Sequence, residues 1–456
     1  MATTNEGDSD YTPPAPVPRR MLGLPDGDLL TMLPARCFEE LTLHVGARRK
    51  QPLLITSNPA LVRTVLGDDG SLFARSQEVV SAFGPLMGRG LFLVTGEAWR
   101  RQRAMLEPAV GHLRVRAMFP HMRAALERFA TRAVASAGEP MDLSAEMHGL
   151  VLDIICRTIF SAPLTSDEAT ELRALFDEFQ RVAPETNPLA LLGRPADRQA
   201  ADDFQKASTS LRRFIAGRLE RRLAGKDRYD ADLLQAIIDA RDPQSGIGFT
   251  REEIIDQVAV FFFAGHDTSA MALTWALFIL AQQEKVACAM REEAVTLAPG
   301  RCLEADDVRQ LAYTRQVMLE VLRLYPSAGF ISRTVQHPVN LDGFDLTAGT
   351  LVVTSPWIVH RHPLVWERPE VFWPDRFTRE RERAIPAGAF IPFGHGPRAC
   401  TGRALAMAEI PFLLAELTRR LRLQVLNAEA AMPIARLTLK PKVAIRCSFT
   451  ALSTTA

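Results

Sequence analysis

Residues Val258 to Ala281 read VAVFFFAGHDTSAMALTWALFILA, apolar throughout except at the centre. The run is long enough to cross a bilayer, which takes about 20 residues. Yet Gly265, His266, Asp267 and Thr268 stand in its middle, where an ionisable group in lipid is costly. The sequence holds no second span to shelter it. A helix that is apolar on all sides and not in lipid crosses the core of a large soluble fold. Thr250 and Glu253, at capping-box spacing, mark its start. A chain of 456 residues that is 47% hydrophobic and 23% charged has ample material to surround such a helix.

The surrounding pattern is also helical. Apolar positions at three- and four-residue spacing recur over 98–136, 143–160, 167–182, 201–224, 230–241, 285–296 and 311–324. Strand signals are few: PLLIT (52–56), VNLDGFDL (339–346) around an Asp342-Gly343 turn, and GTLVVTS (349–355). The expected architecture is mainly α with a small β part. A polar, proline-rich leader over 1–22 is expected to be disordered, and 23–456 to form one domain, with no membrane anchor. A net charge of +1 gives no bulk attraction to nucleic acid. The six cysteines form no CxxC pair, and no signal peptide is seen, which predicts free thiols and a cytoplasmic protein.

Late in the chain, FGHGPRACTG (393–402) surrounds Cys400 with glycines and a proline. From the residues alone, two readings compete. One is a surface turn with an incidental buried cysteine, since free Cys is among the most buried residue types. The other is a thiolate poised to ligate a metal. The segment after Cys400 is helical in pattern, so the thiol precedes a helix N-terminus, where N–H groups and the dipole favour a thiolate. Arg398 adds positive charge, and Gly394, Gly396 and Gly402 let the backbone approach something flat and bulky. A thiolate without companion Cys or His ligands argues against structural zinc. Pro411 falls inside the helix that follows and is expected to kink or interrupt it.

Phe393, Gly396, Arg398, Cys400 and Gly402 resemble, at every spacing, the haem-binding loop of the cytochrome P-450 monooxygenases. That family's axial ligand is a Cys thiolate. By motif order the resemblance spans roughly residues 50 to 445. It implies a triangular helical prism around a buried haem b (iron protoporphyrin IX), with 23–456 as a single haem-binding monooxygenase domain. Cys400 would ligate the iron, Phe393 would pack near the sulfur, and Arg398 would pair with a propionate. Gly402 and Ala264 would lie against the haem.

Further motifs match in turn. Glu320 and Arg323 share one helical face in an otherwise apolar helix, so the pair is expected to be buried with further partners. Arg376 in FWPDRF would complete a structural triad. In AGHDTSA, Gly265 and the polar residues after it predict a kink with Thr268 bonded back to a carbonyl. The resemblance gives Asp267 and Thr268 proton delivery to dioxygen, the co-substrate. Ser269 stands where many members carry a second threonine. Trp99, Arg103 and Arg333 match propionate-binding positions.

The reaction implied is insertion of one oxygen atom into a C–H or double bond, the other leaving as water. No flavin or iron–sulfur segment is present in the chain. The electrons would therefore come from a ferredoxin or flavodoxin with its reductase. Arg100, Arg101 and Arg403 are expected to make a basic docking surface, and the chain is expected to be a monomer. Val80, Phe83, Leu86, Met87, Phe261, Ala264, Ala328, Phe330, Ile331 and Leu437 would wall the pocket. These are nearly all apolar and predict a lipophilic substrate: a fatty acid, terpenoid or polyketide-like molecule. Two other classes share the Cys400 loop. A haem-thiolate sensor would not need Asp267 and Thr268, and a peroxide-driven peroxygenase replaces that acid–alcohol pair.

Overall fold

The computed structural model describes residues 11–13, 28, 30, 33–45, 52–161, 167–179 apart from 169, 173 and 177, 198–226, 232–436 and 438–452. The principal helices are α1 (Pro59–Gly67), α2 (Gln77–Met87), α3 (Gly96–Leu106), α4 (His112–Ala135), α5 (Leu143–Phe160), α6 (Arg198–Leu223), α7 (Leu233–Asp239), α8 (Arg251–Leu280), α9 (Glu284–Leu297), α10 (Ala312–Leu324) and α11 (Arg403–Arg420). The fold is mainly α with a small β part, in agreement with the apolar periodicity.

Helix α8 is the long apolar run. It starts at a capping box in which Glu253 N–H donates to Thr250 Oγ1 and Thr250 N–H to Glu253 Oε2. It is helical without a break through Gly265, so the expected kink does not interrupt it. Helices α5, α6, α2, α10 and α11 all pack on it, α5 most extensively. Gly265 makes room for α5, because a Cβ there would meet Ile155 Cδ1 at 3.0 Å. Farther along, the Trp275 indole stacks on Tyr325 at 4.1 Å and donates to Leu439 O. That contact fastens the C-terminal half of α8 to the segment after α10. Among the described residues, no helix is long and apolar enough to cross a membrane.

Two details depart from the sequence pattern. The expected helix over 98–136 divides at Glu107–Gly111, where Pro108 removes a backbone donor. Conversely, α11 runs through Pro411 without interruption. Residues Glu409 to Thr418 around it are buried, so packing on its neighbours holds the turn despite the lost hydrogen bond.

The strands are β1 (Thr42–Val45), β2 (Leu53–Thr56), β3 (Phe73–Arg75), β4 (Met141–Asp142), β5 (Ile331–Val335), β6 (Val339–Leu341), β7 (Phe344–Leu346), β8 (Leu351–Thr354), β9 (Leu421–Val425), β10 (Pro433–Ala435), β11 (Leu439–Pro441) and β12 (Arg446–Ala451). The largest sheet runs β1-β2-β8-β5-β3, with only β2 and β8 parallel. β6 and β7 form the expected hairpin. Its Asp342 and Gly343 have φ of 52° and 86°, the left-handed pair such a turn needs.

Most of the leader lies outside the described residues, as does Leu437. Of the leader, residues 11–13 are described. Tyr11 packs against the core, its carbonyl accepts from Phe372 N–H, and Pro13 is buried.

Among the described residues, helix α10 carries the most buried ion pair. Arg323 donates from Nε to Glu320 Oε2 at 2.7 Å and from Nη2 to Oε1 at 2.8 Å, and neither side chain is exposed. Arg376 Nε lies 3.4 Å from the same carboxylate, which also accepts from Trp373 N–H. The remaining guanidinium donors reach backbone carbonyls of His360, Pro369, Val371, Glu367 and Arg368. One carboxylate thus organises the irregular segment from His360 to Arg376. Removing it leaves two buried guanidinium groups uncompensated. Glu320→Leu is expected to lose about 3–5 kcal/mol, read as a lower urea midpoint. A midpoint within error of the parent's would refute this role.

Candidate active site

The loop before α11 is built by its glycines. Gly394 and Gly396 both have φ of 72°, and a Cβ on Gly396 would fall 2.4 Å from Leu66 O. Only glycine fits there. Cys400 N–H donates to Phe393 O at 2.8 Å, closing the loop, and Gly402 caps α11. Phe393 is half-buried under the Arg403 guanidinium, 5.8 Å from its ring centroid. The Cys400 side chain is accessible. Burial raises its thiol above the ordinary range, against the pull of the Gly402 and Arg403 N–H groups, Arg103 and Arg403. The loop alone does not ionise the thiol, whereas a bound metal ion does so outright.

A second accessible patch lies on α8. In a helix that is otherwise mostly buried, Ala264 is exposed, while Phe261, Phe263 and Thr268 are half-buried. Thr268 Oγ1 donates back to Ala264 O at 2.6 Å, and Ser327 Oγ donates to Thr268 O at 2.9 Å. Next to it, Asp267 takes His148 Nε2 at 2.9 Å on Oδ1 and the Thr438 hydroxyl at 2.5 Å on Oδ2. Burial pushes the Asp267 carboxyl up. The His148 contact and charge, then Thr438, outweigh burial and hold the carboxyl below the ordinary range.

Three arginines meet beside the Cys400 loop. Arg75 and Arg333 are direct cross-strand partners on β3 and β5, a pairing of like charges that destabilises a sheet. Arg398 joins them electrostatically, with its ring-facing side 4.6 Å from the Trp99 indole. Burial, then Arg333 and Arg398, drives the Arg75 guanidinium well below its usual range, and burial with Arg398 brings Arg333 down to about 10. Arg75 Nε, Arg333 Nε and Arg398 Nη2 are buried with no hydrogen-bond partner. Unsatisfied charged donors clustered in this way call for anionic acceptors. Two carboxylates, such as the propionates of the haem implied by the sequence, supply that charge, and the residues fit the group. Arg103 donates from Nη1 to Ala399 O at 3.0 Å, where it braces the Cys400 loop. Sequence reasoning missed Arg75. Its signal was a lone arginine in a short, largely apolar strand.

The expected pocket residues divide. Phe83 meets Phe92 and Phe263 edge-on at 5.5 Å, joining α2 to α8. Leu86 is buried beside Phe176, Leu211, Phe214, Phe262 and Phe263. Ala328 is exposed, and Val80 and Phe330 are half-buried. Met87 is fully buried core, and Ile331 packs on the small cluster beneath the sheet. Of the expected basic surface, Arg100 lies 3.1 Å from Asp69 and Arg101 2.8 Å from Glu253, while Arg403 is exposed.

The arginine cluster yields a measurable consequence. Arg75→Leu removes a charged donor, and such hydrogen bonds contribute about 1.5–3 kcal/mol. Haem loss to an acceptor apoprotein is expected to quicken by about ten- to a hundredfold. Unchanged haem retention would disprove the assignment of these arginines to an anionic group.

The cytochrome P450 family model matches residues 29–447. Cyclooctatin synthase of Streptomyces melanosporofaciens is 31% identical, with 87% of this chain and 85% of that protein covered. Cyclooctat-9-en-7-ol 5-monooxygenase of the same organism is 31% identical over 81% and 80% of the two chains. Pentalenene oxygenase of Streptomyces avermitilis is 29% identical over 87% of each. The crystal structure of the cytochrome P450DA heme domain superposes with a TM-score of 0.82 at 24% identity, covering 92% of this chain and 91% of that one. A family match over nearly the whole chain, together with that common fold, means that this chain belongs to the cytochrome P450 family.

Proposed function

We propose that this P450 monooxygenase oxidises a lipophilic, terpenoid-like hydrocarbon, with Cys400 as the axial thiolate and Asp267 and Thr268 as the proton-delivery pair. The observation that carries the reading is the juxtaposition of the Cys400 loop with three arginines, each of which has a buried guanidinium nitrogen without an acceptor. A haem b with two propionates satisfies both. Arg75, Arg333 and Arg398 would bind the propionates, with Trp99 stacked behind Arg398 and Arg103 holding the ligand loop. When bound, haem supplies dioxygen reduction and O–O cleavage, favoured by thiolate donation.

The chain's own residues supply the rest. Thr268, on the accessible face of α8, offers its hydroxyl for hydrogen bonding once it leaves the Ala264 carbonyl. Asp267, one residue earlier, holds a carboxylate in reach of a proton source. Phe83, Phe92 and Phe263, packed edge-on beside the accessible part of α8, would give the substrate side an apolar, aromatic wall. Such a wall suits a hydrocarbon skeleton, each buried carbon contributing about 0.8 kcal/mol. Relatives named for pentalenene and cyclooctat-9-en-7-ol support a terpenoid over a fatty acid or polyketide-like molecule. Electrons would come from a separate ferredoxin or flavodoxin with its reductase, in a cytoplasmic setting that suits the free thiols.

Cys400→Ser is expected to abolish the thiolate signature of the reduced, carbon monoxide-bound protein. Retention of that signature would remove Cys400 as ligand. In the parent protein, terpene hydrocarbons are expected to shift the Soret band at concentrations where small charged compounds do not. Tight shifts from the charged set alone would overturn the substrate class.

Thr268→Ala should bind substrate as before but divert reductant to peroxide. Full coupling in that variant would leave Thr268 with only its helical contact.

A further inference from the structure

Asp267 is held by elements on both sides of α8, and its partner on α5 is unusual in how it is bonded. His148 Nε2 lies 2.9 Å from Asp267 Oδ1, and its other nitrogen, Nδ1, lies 2.8 Å from Ser144 O, one turn earlier on α5. A carbonyl oxygen only accepts, and so does an ionised carboxylate. A ring placed between the two makes both contacts as a doubly protonated imidazolium. When one proton leaves, the fixed backbone carbonyl keeps Nδ1–H, and Nε2 is the nitrogen that changes state.

We infer that His148 is the proton source for Asp267, a positioning residue that keeps the carboxylate charged at rest and reloads it during turnover. The inference rests on the reading of Asp267 and Thr268 as the proton-delivery pair. In the step, the Nε2–H bond of His148 breaks and an O–H bond forms on Asp267 Oδ1. The ring is left neutral with its proton on Nδ1. Solvent returns a proton to Nε2, which belongs to a half-buried side chain. Because Nδ1 stays bonded to Ser144 O in both states, the ring does not turn over during the exchange.

Among the described neighbours, the other titratable groups are engaged elsewhere or neutral. On α8, His266 lies edge-on at 5.1 Å with Nε2 on His148 O, and burial followed by the His148 charge takes it down to about 3. It therefore stays neutral. On α5, Glu146 pairs with Arg132 of α4 at 2.6 Å, and Asp153 pairs with Arg157 and Arg128. From the other side, Lys440 of β11 feels the Asp267 charge and has Arg436 beside it, while Thr438 contributes only a hydroxyl. His148 is the titratable group in direct contact with the carboxylate among those described.

The test uses the reduced, carbon monoxide-bound holoprotein, which is diamagnetic, labelled with ring-15N histidine. One histidine should carry protons on both nitrogens near neutral pH and retain only Nδ1–H as pH rises. Its midpoint should fall in Asp267→Asn, and the signal is assigned by its loss in His148→Gln. A neutral form protonated at Nε2, or a midpoint unmoved by Asp267→Asn, overturns the inference. Coupling, measured as product per reductant consumed, should decline in the parent as pH rises through the same midpoint. In His148→Gln it should be several-fold lower and flat over that range, with substrate-induced Soret shifts unchanged. Parent-like coupling and pH dependence in that variant also overturn it. Should His148→Gln not yield holoprotein, the parent and Asp267→Asn spectra decide alone. Full coupling in Asp267→Asn would instead refute the proton-delivery reading, while the histidine titration is read independently.

Discussion

The fold is governed by a helix that must be buried on every side yet carries polar groups at its midpoint. Burial of α8 is met by helices packed around it, and the midpoint is treated asymmetrically. On one face Gly265 lets α5 close to within contact of Ile155. On another, Ala264 is exposed and Thr268 half-buried. The helix stays continuous because Thr268 bonds inside its own turn and Asp267 finds partners on neighbouring elements. Polar groups in a core cost free energy unless bonded. Here each polar group has a bonding partner.

Buried charge is handled in different ways in different parts of the molecule. Around Glu320 the protein supplies everything: two arginines, a backbone N–H and a ring of carbonyls. Such a network gives a unique arrangement rather than a large net stabilisation. Around Arg75, Arg333 and Arg398 one buried nitrogen of each guanidinium is left without an acceptor, and two of the positive charges face each other across a sheet. Glu409 on α11 is a third case, a lone buried carboxyl pushed up to about 8 and so largely protonated near neutrality. A structural network closes on itself, whereas a binding site is left electrostatically incomplete. By that criterion, the arginine cluster is the ligand-directed one.

Local signals in the sequence were readable where one interaction dominates. The capping box at Thr250, the Asp342-Gly343 hairpin and the apolar face of α10 each follow from spacing within a few residues. What stayed hidden depends on contacts far apart in the chain. Nothing near Arg75 indicates that β3 will lie opposite Arg333, some 250 residues later. His148 looks like any polar residue in an amphipathic helix until α5 settles on α8. The ion pairs of Arg100 with Asp69 and of Arg101 with Glu253 join other parts of the chain and are not legible locally either. Pro411 misled for the same reason, since a helix buried on its neighbours tolerates a lost bond that an isolated helix would not.

The Asp267 carboxylate also ties two otherwise separate parts together. Its Oδ2 contact, Thr438, sits in the turn between β10 and β11, and β11 is in turn bonded through Leu439 to both Ser327 O and the Trp275 indole. Ser327 itself donates to Thr268 O. The chain of bonds runs from Asp267 to Thr438, along the hairpin to Leu439, to Ser327 and back to Thr268 on the same helix. A displacement of the hairpin therefore acts on both members of the acid–alcohol pair, through a side-chain bond at one and a main-chain carbonyl at the other. Closed loops of this kind have few independent ways to deform. The position of the hairpin and the orientation of the carboxylate are thus one mechanical variable, shared between the region before β11 and the centre of α8.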